Sequence, residues 1–547
     1  LNTITLEDLV EILMKIDDRG YRNYKRLLGI RFTINGCVAV FTKIQSDPYA
    51  PPSVLEIKIP YKKHGIDELR PPVLDLVSRT MFSISKKYSA KRGTGNSGYI
   101  GIPRPSPCIL YRSSAEARGS TLILRIYVGL PARGRRILGR IAARMLHKYM
   151  PIILEEVCML KNKYKKLLER HIEIYDDYHF IRKWLKENNY ISFIANGSIL
   201  PRKSSKSDKP LHGATPFMVP DSFAEEIELP SGKLIKGLAI HSGVTIITGG
   251  GFHGKTTLLN SIIEGIYPHI PGDGREYVVT LPEAVYVKAE DGRIINGVDI
   301  SVFIDNLPSP TNTRKFYTLN ASGSTSMAAS ISEALEAGMN IVLFDEDTAA
   351  TNLLYKDKFM DDIIPEEPIT PLTSLCGDMK ATGISIIGVM SASSSMIPCS
   401  DKIIVMRRYK PYVLMPQDIR IESSLYPVKN ISFKKPLTRK ICLQSNNTVK
   451  LRARHDRVIM KSREQTYDLL IDNPRIVEKG QINYAVKIIA KLIREKTCRD
   501  TPSLIKYIDK LINSGFNRVS KIITPDLTFL YPYDVLWIIN RLPWRPS

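Results

Sequence analysis

Apolar positions change their period within the first sixty residues. In "DLVEILMKI" (8–16) they recur every three or four positions, as on one face of a helix. In "GCVAVFTKIQ" (36–45), "SVLEIKIP" (53–60) and "STLILRIYVGLP" (120–131) they alternate or run on, as in strands. The stretch from Pro131 to Met150 predicts a helix opened by its proline. A helical stretch follows from Ile152 to Lys186, then a turn-rich basic loop at 195–213. From Ala224 to about Met415 short apolar strands alternate with helices, the pattern of a parallel α/β sheet. Past 430 the chain is basic and irregular, then helical in "INYAVKIIAKLIREK" and "SLIKYIDKLINSG". The expected division is a basic α+β domain (1–170), an α/β core with a mixed, largely parallel sheet and flanking helices (171–430), and a small, mainly helical C-terminal domain (431–547).

Length supports that division, because 547 residues exceed what one hydrophobic core holds. No run approaches the ~18 apolar residues of a membrane helix. In the first eighteen residues the charges are mainly acidic and the apolar residues recur at helical spacing, unlike a signal peptide. A cytoplasmic protein with no membrane insertion is expected. Seven scattered cysteines with no C-x-x-C pair point to neither a zinc site nor a disulfide framework, and are expected as buried, reduced thiols. The net charge of +23 favours polyanionic partners, nucleic acid or an anionic surface.

Candidate chemistry begins after the strand "GVTIIT" (243–248). The next residues, Gly249, Gly250, Gly251, Phe252, His253, Gly254, Lys255, Thr256 and Thr257, fit G-x-x-x-x-G-K-[ST] between a strand and a helix. Backbone amides of such a loop cradle phosphates, Lys255 reaches the β- and γ-phosphates, and Thr256 offers a hydroxyl to Mg2+. Downstream, "MNIVLFDED" (339–347) is a continuous apolar strand ending in three carboxylates. Asp345 is the expected second Mg2+ partner and Glu346 the group that polarises the attacking water, with Asp347 a further candidate. Between these motifs, "TLNASGSTSMAASISEALEAG" (318–338) places Ser322, Gly323 and Ser324 at the start of a helix, where unpaired amides take an anion.

In order along the chain, "GVTIITGGGFHGKTTLL", "HIPGDGREYVV", "AEDGRIINGVDIS", "ASGSTSMAA", "LFDEDTAATN" and "PITPL" resemble the family called predicted ATPases of the ABC class. Upstream, "GLPARGRRILGR" and "FIANGSILPR" are similar to it as well. The resemblance implies an ABC-type P-loop NTPase core with extra N- and C-terminal domains. It also implies ATP and Mg2+ as cofactors, ATP hydrolysis, and an ATP-sandwich homodimer in which Ser322, Gly323 and Ser324 meet the γ-phosphate held by the other copy. Two departures bear on mechanism. The glutamine that senses Mg2+ and water in a cassette falls by spacing near Glu290. The histidine after the next strand is replaced in "ISIIGVMSASSSM" by serines, among them Ser391 and Ser393, so slow turnover is expected.

Between Lys86 and Lys148 fourteen basic residues face one acid, Glu116. On the helix expected after Pro131, Arg133, Arg136, Arg140 and Arg144 form one stripe. With Lys91 and Arg92 of the glycine-rich "KRGTGNSGYIG", and Tyr88, Tyr99 and Tyr111 to stack on bases, this surface is expected to bind RNA or other single strands. Competing readings are an ATPase subunit of a membrane transporter, signalled by membrane co-fractionation, a small-molecule P-loop kinase, signalled by metabolite-dependent ATP consumption, and an ATP-gated scaffold.

Overall fold

Local sequence and observed elements agree closely at the N-terminus. Thr5 caps α1 (Leu6–Lys15) by accepting from the Asp8 amide while the Asp8 carboxylate accepts from the Thr5 amide, and Leu6, Leu9 and Leu13 form the buried face. The structure is a computed structural model, and it describes residues 3–204, 207–356, 362–364, 366–419, 432–443, 449–462 and 465–544. Contacts divide the chain into two units. One comprises Leu1–Tyr175 with Glu478–Tyr484 and Ser514–Phe529; the other comprises Asp176–Val477 with Ala485–Asn513 and Leu530–Ser547. The C-terminal segments are thus shared between two units and form no third one. The boundary expected at 430–431 lies outside the described residues.

The first unit is built on a six-stranded antiparallel sheet of β1 (Arg31–Ile34), β2 (Cys37–Lys43), β3 (Ser53–Ile59), β4 (Ile100–Gly101), β5 (Ala115–Arg118) and β6 (Thr121–Val128). Its order is β1-β2-β3-β6-β4, with β5 also pairing β6. Alternation puts Cys37, Ala39 and Phe41 of β2 inward, and α2 (Pro71–Tyr88) contributes Val73, Leu74, Leu76, Val77 and Met81 to the same core. The helix expected from Pro131 begins later. Ala132–Arg133 and Arg136–Ile137 pair as a small hairpin, β7 and β8, turning through Gly134 at φ 57. That left-handed turn is incompatible with a continuous helix. Then α3 (Gly139–Arg144) leads through a wider turn into α4 (Met150–Cys158), and α5 (Lys165–Glu187) carries the chain into the second unit.

The second unit holds two principal sheets. Four strands, β9 (Tyr190–Ala195), β10 (Glu225–Glu228), β11 (Leu234–His241) and β13 (Val278–Thr280), form an antiparallel sheet in the order β10-β11-β9-β13. The other sheet contains β12 (Val244–Gly249), β14 (Ala284–Tyr286), β17 (Ile341–Asp345), β18 (Ser385–Val389), β19 (Lys402–Arg407) and β20 (Lys410–Leu414). Its order is β14-β17-β18-β12-β19-β20, parallel except for the last pair. Strands β17 and β18 are buried at every position, as the continuous apolar runs require. The short pair β15 (Ile295–Val298) and β16 (Phe316–Thr318) precedes the serine-rich corner. Helices α6 (Lys255–Glu264), α7 (Gly323–Glu336) and α8 (Leu372–Ala381) follow β12, β16 and β17.

The C-terminal region is helical in α9 (Lys479–Arg494), α10 (Thr501–Asn513) and α11 (Pro532–Asn540), and also carries a three-stranded sheet from Lys450 to Leu470. No described helix is long and apolar enough to cross a membrane. The cysteines depart from expectation. Cys376 pairs with Cys399 and Cys442 with Cys498, while Cys37, Cys108 and Cys158 take part in no disulfide among the described residues. Cys442 and Cys498 are register partners on adjacent antiparallel strands, a neighbourhood that spacing along the chain does not reveal.

Candidate functional site

The glycine-rich loop follows from the sheet register. Gly249 ends β12 at φ 135 opposite Met406 of β19, and a Cβ there would strike the Met406 carbonyl oxygen, so glycine alone fits. The chain then turns through Gly250, Gly251 and Phe252, whose ring is 98% exposed, and α6 begins at Lys255. The His253 ring lies over Gly250 with Nδ1 3.3 Å from the Met406 carbonyl oxygen. Lys255 is buried, and its Nζ donates to the carbonyls of Gly249 and Gly250, each at 2.8 Å. Thr256 Oγ1 donates to Asp345 Oδ2 at 2.7 Å. Thr257 stands half-buried in the first turn of α6.

The three carboxylates after β17 have separate surroundings. Asp345 is buried, and its second oxygen accepts from the Asp347 amide at 3.1 Å. Glu346 Oε2 accepts from the amides of Ser391 and Ala392 at 2.6 and 2.8 Å. Its Oε1 is buried with no hydrogen-bond partner among the described residues. Asp347 is exposed, and its amide is what reaches Asp345. The serines after β18 thus act by backbone at Ser391, while the Ser393 hydroxyl donates to Ser395 at 2.8 Å. These two amides carry no signal in the sequence, because every residue but proline has one.

Ser322 caps α7, accepting from the Thr325 amide at 3.5 Å and sharing a 2.9 Å contact between hydroxyls with Thr325. Ser324 donates to Asn352 Oδ1 at 2.6 Å. No hydrogen bond joins this corner to the glycine-rich loop among the described residues. Glu290 corrects its expected role. Its carboxylate pairs with Arg541, Nε to Oε2 at 2.8 Å, and Arg541 lies over the Trp537 ring at 3.6 Å. Burial pushes the Glu290 carboxyl up, but Arg541, with Arg293 and Lys288 in support, holds it down at about 2. The C-terminal helix α11 returns to claim this group, and spacing from the loop could not foresee that. Behind α7 the cluster continues, with Arg293 Nη2 donating to both Glu333 oxygens at 2.7 Å.

In the first unit the arginine stripe dissolves into two elements. Arg133, Arg135 and Arg136 sit on the β7–β8 hairpin and Arg140 and Arg144 on α3, all exposed. Arg136 pairs with Asp18 at 3.3 Å and Arg140 with Asp17 at 3.9 Å. Both acids lie in the N-terminal stretch, well before the Lys86–Lys148 segment. Lys91 is exposed, but Arg92 donates to the carbonyls of Tyr88 and Gly98 and lies over the Tyr149 ring. Arg112 and Arg125 are buried, the first paired with Asp75 and Glu478, the second with Glu56 and Glu116. The tyrosines are also occupied, Tyr88 stacked on Tyr149 at 5.2 Å and Tyr111 on Phe516 at 5.3 Å. Gly93, Gly95 and Gly98 of the basic loop pack against the chain's own carbonyls.

A family model described as the P-loop domain of the ABC ATPases matches residues 164–440, and one described as the N-terminal part of ATPases of the ABC class matches residues 6–161. An uncharacterised protein of Methanocaldococcus jannaschii is 38% identical over 185 residues, covering 32% of this chain. The match spans 41% of that relative's length. A solved chain described as a metal-chelate type ABC transporter in an inward-facing conformation is 13% identical, covering 44% of this chain and 92% of its own, with a TM-score of 0.23.

Proposed function

The chain belongs to the ATPases of the ABC class, and on that premise we propose that it binds ATP with Mg2+ at the glycine-rich loop and hydrolyses it to ADP and phosphate. One observation carries the reading: Asp345 Oδ2 accepts from the Thr256 hydroxyl while Glu346, the next residue, keeps one oxygen buried and without a hydrogen bond among the described residues. Thr256 and Asp345 together offer the hard oxygen donors that suit Mg2+, which takes one or two protein ligands beside phosphate oxygens and water. When bound, the ion neutralises charge on the β- and γ-phosphates. Lys255 exchanges two neutral carbonyls for phosphate oxygens, a stronger charge-assisted bond. Glu346 Oε1 accepts the proton of the attacking water while the amides of Ser391 and Ala392 hold the other oxygen still. No histidine stands there to share the γ-phosphate charge, so turnover is slow. The test is phosphate release from ATP by the purified chain. Release that needs Mg2+ and stops with a chelator is the expected result; no release in either condition sinks the reading.

The reading extends to two copies closing on two nucleotides, with Ser322, Gly323 and Ser324 of each at the other's γ-phosphate, and to nucleic acid at the first unit. Support for the nucleic-acid part is that Arg133, Arg135 and Arg144 are exposed with no acidic partner among the described residues. Each phosphate neutralised on a single strand contributes about 0.7 to the slope of log affinity against log salt. Replacing these three arginines by alanine should flatten that slope by roughly 2 for every RNA sequence alike. An unchanged slope, or no binding by the parent chain at moderate salt, would remove nucleic acid from the reading.

A further inference from the structure

Beside the glycine-rich loop lies a cavity of about 630 Å3, within the range of small-ligand pockets. Gly249, Gly250 and the His253 ring form one wall; the β19–β20 hairpin forms the other, through Arg407, Lys410 and Tyr412. The register explains the pairing. β12 and β19 run parallel with Gly249 beside Met406, so loop and hairpin leave the sheet at the same edge. Strand alternation buries Met406 and Val413 and exposes Arg407 and Tyr412. The Arg407 guanidinium lies over the Tyr412 ring, 5.4 Å from its centroid. Arg407, Arg408 and Lys410 have no carboxylate partner among the described residues, so the wall carries surplus positive charge next to an aromatic face.

Strand order gives the cavity a direction. Thr256 meets Asp345 at the end of β17, which lies beyond β18 on one flank of β12. The cavity lies on the other flank, at β19. A nucleotide whose terminal phosphates lie toward Asp345 therefore points its opposite end at the hairpin. We propose that this cavity is the subsite for the nucleoside end of the bound nucleotide, with the Arg407–Tyr412 stack as the platform for the base. Arginine planes and tyrosine rings both stack on bases, and the adjoining cations suit the α-phosphate. The inference rests on the reading of the glycine-rich loop as the phosphate site.

Titration calorimetry of the full chain in Mg2+, with ATP and with inorganic tripolyphosphate, tests it. Tyr412→Leu keeps the charge and the strand but removes the ring. Stacking strengths place the expected loss of ATP affinity at roughly fivefold or more, with tripolyphosphate affinity kept within about twofold and Tyr412→Phe close to the parent. Unchanged ATP affinity in Tyr412→Leu, or an equal loss for both ligands, overturns the subsite and leaves the phosphate reading standing. A parent chain that binds neither ligand overturns both.

Discussion

Lys255→Ala should leave the chain unable to hold ATP at any ordinary concentration, whereas Glu346→Gln should hold it almost as tightly as the parent and turn it over at least about 100-fold more slowly. The two residues differ in what they lend. Lys255 supplies a buried cation at the start of α6, now shared between two loop carbonyls, and without it the β- and γ-phosphates lose their charge-assisted bond to the loop. Glu346 supplies basicity alone. An amide in its place still offers an oxygen to the Ser391 and Ala392 amides, so the loop after β18 keeps its anchor, but the free end no longer accepts a proton. Fluorescent-nucleotide binding and phosphate release, run on both variants, read the two effects separately. Normal hydrolysis by Glu346→Gln would move the base elsewhere; unchanged ATP binding by Lys255→Ala would take the phosphates out of the loop.

How much of this was legible in the sequence depends on how far apart the interacting groups lie along the chain. The glycine-rich loop reads directly because its strand, turn and helix fall within some twenty contiguous residues, and Gly249 and Gly254 take backbone angles that other residues rarely adopt. The carboxylate strand reads for the same reason: five buried positions end in charge. The Arg133 to Arg144 stripe misled because helical spacing in four arginines is also met by a hairpin followed by a helix, and Gly134 in the left-handed region was the residue that decided between them. The amides that hold Glu346 are backbone, and so left no mark. Glu290 was lost to a partner 251 residues away, Arg541, which no local pattern connects to it. The two disulfides likewise join cysteines 23 and 56 residues apart.

ATP should bring two copies of the chain together, and Glu346→Gln should hold them there. The helix α7 is fourteen residues long and opens at Gly323 behind a serine cap, so its first amides have no carbonyl one turn back to accept them. Such an end favours an anion by roughly 0.3 to 2 kcal/mol, and a two-fold dimer uses it twice. A γ-phosphate held by another copy is the partner that the family resemblance implies for this corner. On that reading hydrolysis should remove the phosphate and release the clamp, and blocking hydrolysis should keep it closed. Ser322→Asp sharpens the test, because aspartate caps a helix as well as serine does and leaves the fold intact, while its charge repels phosphate. Light scattering of Glu346→Gln with ATP should therefore give twice the chain mass, and Glu346→Gln with Ser322→Asp the single mass, at ATP affinities within about threefold of each other. A monomer in the first sample would end the composite-site reading, and a dimer in the second would show that the copies meet through some other surface.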